Sequence, residues 1–380
     1  MSLETKRKCR VCGNDFMEPP LLVQKDMPSS AQYLPRSEDL SNDRGIDIEV
    51  CQCSGCGLVQ LDNDEVPYYR EVIRATEISS EVREFRRKSF KEILDKHDLI
   101  GKRVCEIGCG RGGFLSVVSE FDVDARGIEF SDENVAACRK NGLKVEKGFL
   151  SHPSDRIPGW PFDLIMILNF LEHFPDPNCA LRAMYHNLSA DGILHVEVPN
   201  FNMIIRDSLF SEFIPDHLLY FTKETLTHIL NQNGFEAVEY REERYDYVIS
   251  VIARKRKAVA ISRFEQHQSK LKNEIHGFID GFAKDKVAIW GAGHQALSVI
   301  SLLELKNKIK YVVDSASFKQ DRYTPASHIK ITSPDAIVSD PVDAIIVMAA
   351  AYSDEVVKII KTRYENLKVA ILRNRGLEIL

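Results

Sequence analysis

The sequence has little of what would indicate a membrane protein, a polyanion binder or a secreted protein. No apolar run approaches the roughly 18 residues needed to cross a bilayer. Fifty Lys and Arg against 56 Asp and Glu leave a formal charge of −6, so the basic excess that favours nucleic acid is missing. No apolar segment follows the basic N-terminus, as a secretory signal would require. We expect a soluble, cytoplasmic chain without a membrane or nucleic-acid partner.

Repeats and low-complexity segments are also missing, and the composition is that of a globular protein. Hydrophobic residues make up 44% of the 380 and charged residues 28%. At roughly 150 residues per domain, this length predicts two or three domains.

Nine cysteines are the unusual count, and five of them precede residue 57. Cys9-x2-Cys12 and Cys53-x2-Cys56 are two knuckles, each followed by glycine, in a segment too small for a core of its own. Four converging thiolates are typical of a closed, structural Zn²⁺ site. The alternative is a set of buried small side chains or a redox pair. Cys51 is left over as a spare sulfur.

Apolar segments alternate with helical stretches from residue 102 onward, which predicts an α/β protein with parallel strands. The first series is RVCEIG, DARGIEF, FDLIMILNF and GILHVEVPN, with VISVIAR as a further strand. An amphipathic helix is expected before it, over 79–97. A second series begins at 286 with KVAIWGAG and continues through KIKYVVD, DAIIVMA and LKVAILR. A polar helical segment, 258–285, connects the two.

A glycine-rich loop, EIGCGRG, occupies 106–112 between a predicted strand and a helix. Glu129 ends the next strand, where a carboxylate can take ribose hydroxyls. The loop lacks the Lys-Ser/Thr of a P-loop, and no counter-charge for a pyrophosphate is present. Taken alone, the glycines leave nucleotide or dinucleotide binding open. Together with Glu106, which precedes the loop, and Glu129, these glycines resemble the S-adenosylmethionine site of class I methyltransferases.

A later strand presents Asn169 at its carboxyl end, and Glu172 and His173 open the next helix. This is the edge at which an open α/β sheet binds ligands. An acid at a helix start is also favourable without any ligand, and His173 has a structural alternative of similar weight. The expected cofactor contacts are Glu106, Gly108, Cys109, Gly110, Gly112, Glu129, Phe130, Asn169, Glu172 and His173.

The order of these motifs resembles the three-domain sugar C-methyltransferases, over nearly the whole chain. The resemblance lies in CRVCG and CSGCGLVQL, in VCEIGCGRGGFL with NFLEHF, and in VAIWGAG with YVVDSASFKQDRYTPASHIKI. It implies a zinc-binding domain (1–70), a class I methyltransferase domain (71–257), a connecting helix (258–285) and a Rossmann-like substrate-binding domain (286–380). It also implies S-adenosylmethionine-dependent methylation of carbon in a nucleotide-linked keto deoxysugar, after deprotonation α to the ketone.

The segment FIPDHLLYF, 213–221, stands where this family carries a Tyr-x-Glu-His strip. His217 matches the family histidine and Tyr220 the aromatic tail, whereas Asp216 replaces Glu and Ile214 replaces Tyr. The resemblance implies His217 as the base, with Asp216 and Tyr220 as helpers. A neutral histidine is suited to taking a proton α to a ketone. The structural alternative is a loop histidine that caps a turn.

In the second α/β series, two glycines follow the first strand and Asp314 ends the next. Leu297 takes the third glycine position, so the dinucleotide fingerprint is incomplete and an NAD site is not expected. Such a loop and helix N-terminus can instead offer N–H groups to a diphosphate. For Lys319 and Arg322, a solvated charged loop is an equal alternative. The candidate contacts to a nucleotide-sugar substrate are Gly291, Gly293, His294, Lys319, Arg322 and Tyr323.

Two other functions stay open on the residues alone. Ile214 and Asp216 depart from the family pattern, which leaves an O- or N-methyltransferase acting on a sugar or glycan precursor. A catalytically silent binding or assembly protein is the alternative of another class. The glycine loop with both Glu106 and Glu129 argues against it, because a silent protein does not need the ribose acid.

Overall fold

The computed structural model describes residues 7–32, 34–71 and 78–380. The chain separates into two compact units, Met1–Lys257 and Ala258–Leu380. Among the described helices, none has the length and apolar character required to cross a membrane.

The N-terminal part of the first unit is a small antiparallel sheet built around the cysteine knuckles. Its strands are β1 (Leu22–Met27), β2 (Ile46–Gln52) and β3 (Val59–Leu61). β2 pairs with both neighbours. The sheet buries few apolar side chains, among them Ile48, Val50 and Leu61, which is a thin core for independent folding.

The rest of the first unit is an α/β layer structure. In chain order its elements are α1 (Ser80–Lys96), β4 (Arg103–Ile107), α2 (Gly113–Val118), β5 (Asp124–Glu129), α3 (Asp132–Lys140), β6 (Val145–Lys147), β7 (Phe162–Leu168), α4 (Pro177–Asn187), β8 (Leu188–Pro199), α5 (Phe201–Arg206), β9 (Leu219–Tyr220), α6 (Lys223–Gln232), β10 (Phe235–Glu243) and β11 (Val248–Lys255).

Seven of these strands form one sheet in the order β10-β11-β8-β7-β4-β5-β6. The five strands from β8 to β6 are parallel, and β10 and β11 are antiparallel additions. The central strands are apolar and buried, as parallel strands covered by helices on both faces must be. The chain order changes direction between β4 and β7, which is where open α/β sheets bind ligands. The predicted α/β class is confirmed.

Helix α1 follows the amphipathic pattern of its sequence. Ser79 caps its N-terminus by accepting the Val82 N–H at 3.2 Å, and Phe90, Ile93 and Leu94 face the sheet. Arg86 on the same helix is fully buried and makes a bidentate ion pair with Glu197 of β8. This pair fixes the helix against the centre of the sheet.

The short strand β9 pairs with the N-terminal sheet and is not part of the large one. Tyr220 pairs with Val59, and Leu219 with Gln60. The Leu61 N–H also donates to the carbonyl of Leu218 at 3.0 Å. The N-terminal sheet therefore holds the end of segment 213–221 in place.

The second unit is a separate α/β layer with its own core. Its elements are α7 (Ser262–Asp280), β12 (Val287–Trp290), α8 (His294–Leu302), β13 (Val312–Val313), β14 (Ile331–Thr332), α9 (Ala336–Ser339), β15 (Ala344–Val347), α10 (Ser353–Arg363), β16 (Lys368–Arg373) and β17 (Gly376–Ile379). The sheet order is β14-β13-β12-β15-β16-β17, parallel except for β17. Two apolar clusters flank the sheet, as the predicted Rossmann-like class requires.

Candidate functional site

The loop after β4 makes the tight turn that its glycines predict. Gly108, Gly110 and Gly112 have φ of 68°, 53° and 79°, in the left-handed region that favours glycine. A Cβ on Gly108 would lie 2.4 Å from the Phe170 ring. The loop backbone thus passes close to the end of β7, and no larger residue fits there.

Two acids flank this loop, and both are buried. Glu106 lies within β4, and Glu129 ends β5. The Glu129 carboxylate accepts the N–H groups of Gly110 at 2.8 Å and Ser131 at 2.9 Å, with Asn134 more distant at 3.4 Å. A carboxylate has about four acceptor directions. The loop therefore positions this acid and leaves capacity for a ribose hydroxyl.

Cys109, inside the loop, is not a reactive nucleophile. Its hydrogen bond with Cys138 and its burial raise the pKa of the Cys109 thiol, so the thiol stays protonated. Its sulfur also fills the space against Gly127, where a Cβ would lie 2.6 Å away. Cys109 packs the loop onto β5.

An aromatic cluster that the sequence reasoning missed lies at this edge of the sheet. Phe149 stacks on Phe174 at 5.0 Å and contacts the edges of Phe170 and of Phe130, the predicted cofactor contact. The Arg70 guanidinium lies 5.4 Å from the Phe149 ring centroid. These side chains come from four separate segments and show no shared spacing in the sequence. Such rings offer flat apolar surface to a bound base.

The end of β7 brings Asn169, Glu172 and His173 to the same place. Asn169 still donates its N–H to the carbonyl of Glu197 on β8 at 2.8 Å, and its φ of 53° then turns the chain out of the sheet. Glu172 and His173 follow in a short 3-10 turn and are buried. Burial raises the pKa of Glu172 to about 8. This carboxyl is therefore mostly protonated near pH 7.

His217 lies beside this turn. Its ring is 4.7 Å from that of His173, edge to face. Burial lowers the pKa of His217 to about 4. Burial, with the charge of His217, lowers the pKa of His173 to about 3. Both imidazoles are neutral at neutral pH, and the Nδ1–H of His173 donates to the carbonyl of Asp216 at 2.6 Å.

The Asp216 carboxylate is directed elsewhere. It accepts the Tyr68 hydroxyl at 2.9 Å and the Ala31 N–H at 3.2 Å, both from the N-terminal part of the chain. Its backbone carbonyl, not its side chain, faces the histidine pair. Tyr68 was missed by the sequence reasoning, because nothing links residue 68 to residue 216 except the fold.

Tyr220 is buried inside the strip rather than directed at the histidines. Its hydroxyl accepts the Ile214 N–H and donates to the carbonyl of Glu212, each at 3.2 Å. Its ring packs against Phe201 and Phe213. Tyr220 therefore fixes the backbone conformation of segment 213–221 by binding Ile214 and Glu212.

The four knuckle sulfurs come together as their spacing predicts. The Sγ atoms of Cys9, Cys12, Cys53 and Cys56 all lie within 4.8 Å of one another, with 3.3 Å from Cys12 to Cys53 and 3.7 Å from Cys9 to Cys56. Sulfurs on one tetrahedral Zn²⁺ are about 3.8 Å apart. The donor set fits that ion. Cys51 is buried in β2 and is not part of the cluster.

Two N–H groups and two side-chain amides also reach these sulfurs. Gly55 and Cys56 donate backbone N–H to Cys53, at 3.3 and 3.4 Å. Asn14 donates to Cys12 at 3.3 Å and Gln60 to Cys9 at 3.2 Å. Such donors stabilise thiolates around a metal.

In the second unit, the loop after β12 is held by Asp314. Gly291 has φ of 118°, and a Cβ there would lie 2.5 Å from the carbonyl oxygen of Met348. The Asp314 carboxylate accepts the Ala292 N–H at 2.8 Å and binds Lys319 at 2.9 Å. Burial alone would raise the pKa of Asp314, but Lys319 and the N–H donors lower it.

The other predicted substrate contacts lie around this loop. Gly293 caps the N-terminus of α8, whose first residue is His294. Gly293, His294, Arg322 and Tyr323 are exposed. Lys319 is already paired, so its charge neutralises Asp314, and Arg322 is the predicted cation left at the surface.

Two family models match the chain. The one described as "Methyltransferase domain" matches residues 75–240, and the one described as "C-methyltransferase C-terminal domain" matches residues 252–369. The first spans the glycine loop and the histidine pair. The second spans most of the C-terminal unit.

Among curated proteins, the chain is 22% identical to C-methyltransferase NovU of Streptomyces niveus, over 94% of this chain and 93% of that protein. It is 29% identical to a ubiquinone biosynthesis O-methyltransferase of Bordetella avium, over 22% of this chain and 37% of that protein. A solved S-adenosylmethionine-dependent methyltransferase from Clostridium acetobutylicum is 14% identical, with a TM-score of 0.39 over 50% of this chain and 96% of that one.

Proposed function

This chain is an S-adenosylmethionine-dependent methyltransferase, and we propose that it methylates carbon next to the ketone of a nucleotide-linked keto deoxysugar. The similarity to a C-methyltransferase along both units carries the proposal. A matching methyltransferase domain alone would leave the methylated atom undecided.

The cofactor's place is proposed at the carboxyl ends of β4, β5 and β7. S-adenosylmethionine supplies an electrophilic methyl group when bound. The glycine turn admits a ligand close to the backbone, and Glu129 is held where a ribose hydroxyl can donate to it. Phe130 and Phe149 offer flat surfaces for the base. Glu172 and His173 lie on the β7 side of the same edge.

His217 is proposed as the base. Its imidazole is neutral at neutral pH because burial lowers its pKa to about 4. A neutral imidazole can accept a proton from a carbon α to a ketone, and the resulting enolate is the nucleophile for methyl transfer. The role of Asp216 is indirect, because its carboxylate binds Tyr68 and Ala31. Tyr220 is proposed to hold the backbone of segment 213–221 through its hydroxyl, which donates to the carbonyl of Glu212.

The C-terminal unit is proposed to hold the nucleotide diphosphate. Its glycine loop and the N-terminus of α8 present N–H groups, and Arg322 is an exposed cation on the neighbouring segment. Lys319 contributes through Asp314, by holding the loop in shape. We propose Gly291, Gly293, His294, Arg322 and Tyr323 as the contacting residues.

Zn²⁺ is proposed at the four-cysteine cluster in a structural role. The donors are four sulfurs, so no position is left open for a substrate. The cluster lies at one end of the sheet that pairs with β9. The ion would thereby stabilise the strip that carries His217.

The methylated atom is tested by the product. With ¹³C-methyl S-adenosylmethionine and thymidine- or uridine-linked 4-keto deoxysugars, we expect a ¹³C signal in the C–CH₃ region of the NMR spectrum. A signal in the O–CH₃ or N–CH₃ region would reject carbon methylation and support the O- or N-methyltransferase alternative. Absence of S-adenosylhomocysteine binding by calorimetry would support a silent binding protein.

A further inference from the structure

Three side chains converge around the proposed base, which is one of the three. One oxygen of Glu172, one nitrogen of His173 and one nitrogen of His217 all lie within 4.8 Å of one another. Two backbone-anchored hydrogen bonds hold the two segments together: His173 Nδ1–H to the Asp216 carbonyl at 2.6 Å, and Leu218 N–H to the Glu172 carbonyl at 2.9 Å. The convergence is therefore built into the fold.

Glu172 is the carboxyl group in this cluster. Its side chain is 1% exposed, and within the described residues no group hydrogen-bonds its Oε2 atom. A buried oxygen without a partner is costly, and its retention calls for an explanation. Asp216, the acid next to His217 in sequence, is already bound to Tyr68 and Ala31.

We propose that Glu172, and not Asp216, is the acidic partner of His217, a positioning residue whose ionised carboxylate stabilises the imidazolium formed when His217 takes the substrate proton. This inference rests on the proposed function. Within that function, it names the group that makes the half-buried His217 basic enough for a carbon acid.

The proton balance is simple. The C–H bond α to the ketone breaks, its electron pair enters the enolate, and the proton bonds to a nitrogen of His217. The C–C bond then forms as the S–C bond of the methyl donor breaks, and the imidazolium returns its proton to water. A carboxylate next to His217 favours the first step, because an imidazolium with little access to water and no partner charge is disfavoured.

The surroundings of Glu172 determine the pH at which it is ionised. Facing it are His173 and His217, the carboxylate of Glu197 on β8, and the Tyr247 hydroxyl before β11. Burial first, and then the charge of Glu197, raise the pKa of Glu172 to about 8. Proton abstraction should therefore accelerate as pH rises from 6.5 and level off above about 8.5.

The test measures proton abstraction alone. Wild-type protein and Glu172→Gln are incubated in D₂O with the keto deoxysugar nucleotide and S-adenosylhomocysteine, and α-deuteration is followed by NMR from pH 6.5 to 9. We expect Glu172→Gln to be severalfold and up to about tenfold slower at pH 9, since one pKa unit on His217 is tenfold in its proton affinity. The deuteration rate of Glu172→Gln should also no longer increase between pH 6.5 and 8.5.

Glu243→Gln is the matched control. Glu243 is another acid whose pKa is raised by burial, on β10 and outside the cluster. Its replacement should leave the pH profile of deuteration unchanged. Thermal unfolding and S-adenosylhomocysteine affinity must be retained in Glu172→Gln, and Glu172→Met, which is also uncharged and of similar size, replaces it if the Gln variant does not fold.

The outcomes separate the two proposals. Wild-type protein without any deuteration would reject the proposed function. Deuteration in Glu172→Gln with the wild-type rate and pH profile would reject only the role of Glu172. Stimulation of the wild type by added Mn²⁺ that Glu172→Gln abolishes would also overturn this role, because the cluster would then be a set of metal ligands.

Discussion

The two neighbouring histidines owe their neutrality to burial. Burial lowers the pKa of His217 to about 4 and, with the charge of His217, that of His173 to about 3. Two neutral imidazoles, each able to accept a proton, are what carbon-acid chemistry near pH 7 requires. The same burial has a consequence for stability that can be measured without any substrate.

We expect acid to destabilise the protein through these rings. Their folded pKa values lie below the ordinary value near 6.5, so the stability they contribute is present above that pH and lost as pH falls toward 4. The Tm of His217→Asn should therefore fall less than that of the wild type between pH 7 and pH 4.5. Equal losses in differential scanning fluorimetry would contradict the burial of this imidazole.

Individual residues could be predicted only where the chemistry is local in sequence. The glycine turn and the burial of Glu129 beside it follow from local spacing, whereas His217 is proposed as a base only through the family resemblance. The resemblance implied Asp216 as a helper of His217, and in the structure its carboxylate accepts the hydroxyl of Tyr68, 148 residues away. Side-chain direction depends on long-range contacts, and a sequence pattern does not contain them.

At the scale of elements, the glycine turn after β4 combines two constraints. Gly108 needs a positive φ and also has no room for a Cβ, because the Phe170 ring would lie 2.4 Å away. Gly142 has a positive φ of 77° but open space around it. Substitutions at these two glycines therefore distinguish the cost of a left-handed backbone, which both share, from the cost of crowding, which only Gly108 has.

We predict that Gly108→Ala and Gly142→Ala each lose about 1–2 kcal/mol of stability from the left-handed backbone. Gly108→Ala should lose more, and its affinity for S-adenosylhomocysteine should fall at least about tenfold by calorimetry as the loop moves. Gly142→Ala should bind with wild-type affinity. Unchanged binding by Gly108→Ala would remove this loop from the cofactor site.

The four-cysteine cluster is the second feature that acts at the scale of elements, because it holds the N-terminal sheet together. Cys53 directly follows β2. The sheet that contains β2 and β3 pairs with β9, which lies within segment 213–221 together with His217. Undamaged protein should contain one zinc per chain by elemental analysis. Cys53→Ser should lose the metal and lower both Tm and the deuteration rate.

Cys51→Ser is the matched control, because Cys51 is a buried sulfur of β2 outside the cluster. It should keep the zinc. Well under one zinc per chain in the undamaged wild type, or equal zinc in both variants, would refute the four-cysteine site.

The elements themselves were largely predictable. Apolar strands followed by helical stretches specify a parallel sheet, and four of the predicted strands appear as the parallel β4, β5, β7 and β8. The fifth, β11, is antiparallel to β8. The two-residue strand β9 was not predictable, because its partner β3 is more than 150 residues away and its own length carries no pattern.

At the scale of the whole molecule, the chain consists of two compact units that meet in sequence at Lys257 and Ala258. The second unit has a six-stranded sheet with an apolar cluster on each face. We expect residues 258–380 to fold alone and to unfold cooperatively in circular dichroism. A fragment without a thermal transition or dispersed NMR signals would contradict this division.

The central claim is that this methyltransferase activates carbon next to a ketone. The most direct measurement is the exchange of the α-hydrogen for deuterium when a nucleotide-linked 4-keto deoxysugar is incubated with the protein in D₂O without methyl donor. The account predicts exchange at one carbon, abolished in His217→Asn, a variant that still binds S-adenosylhomocysteine. A substrate that gains methyl from S-adenosylmethionine yet never exchanges this hydrogen would contradict it.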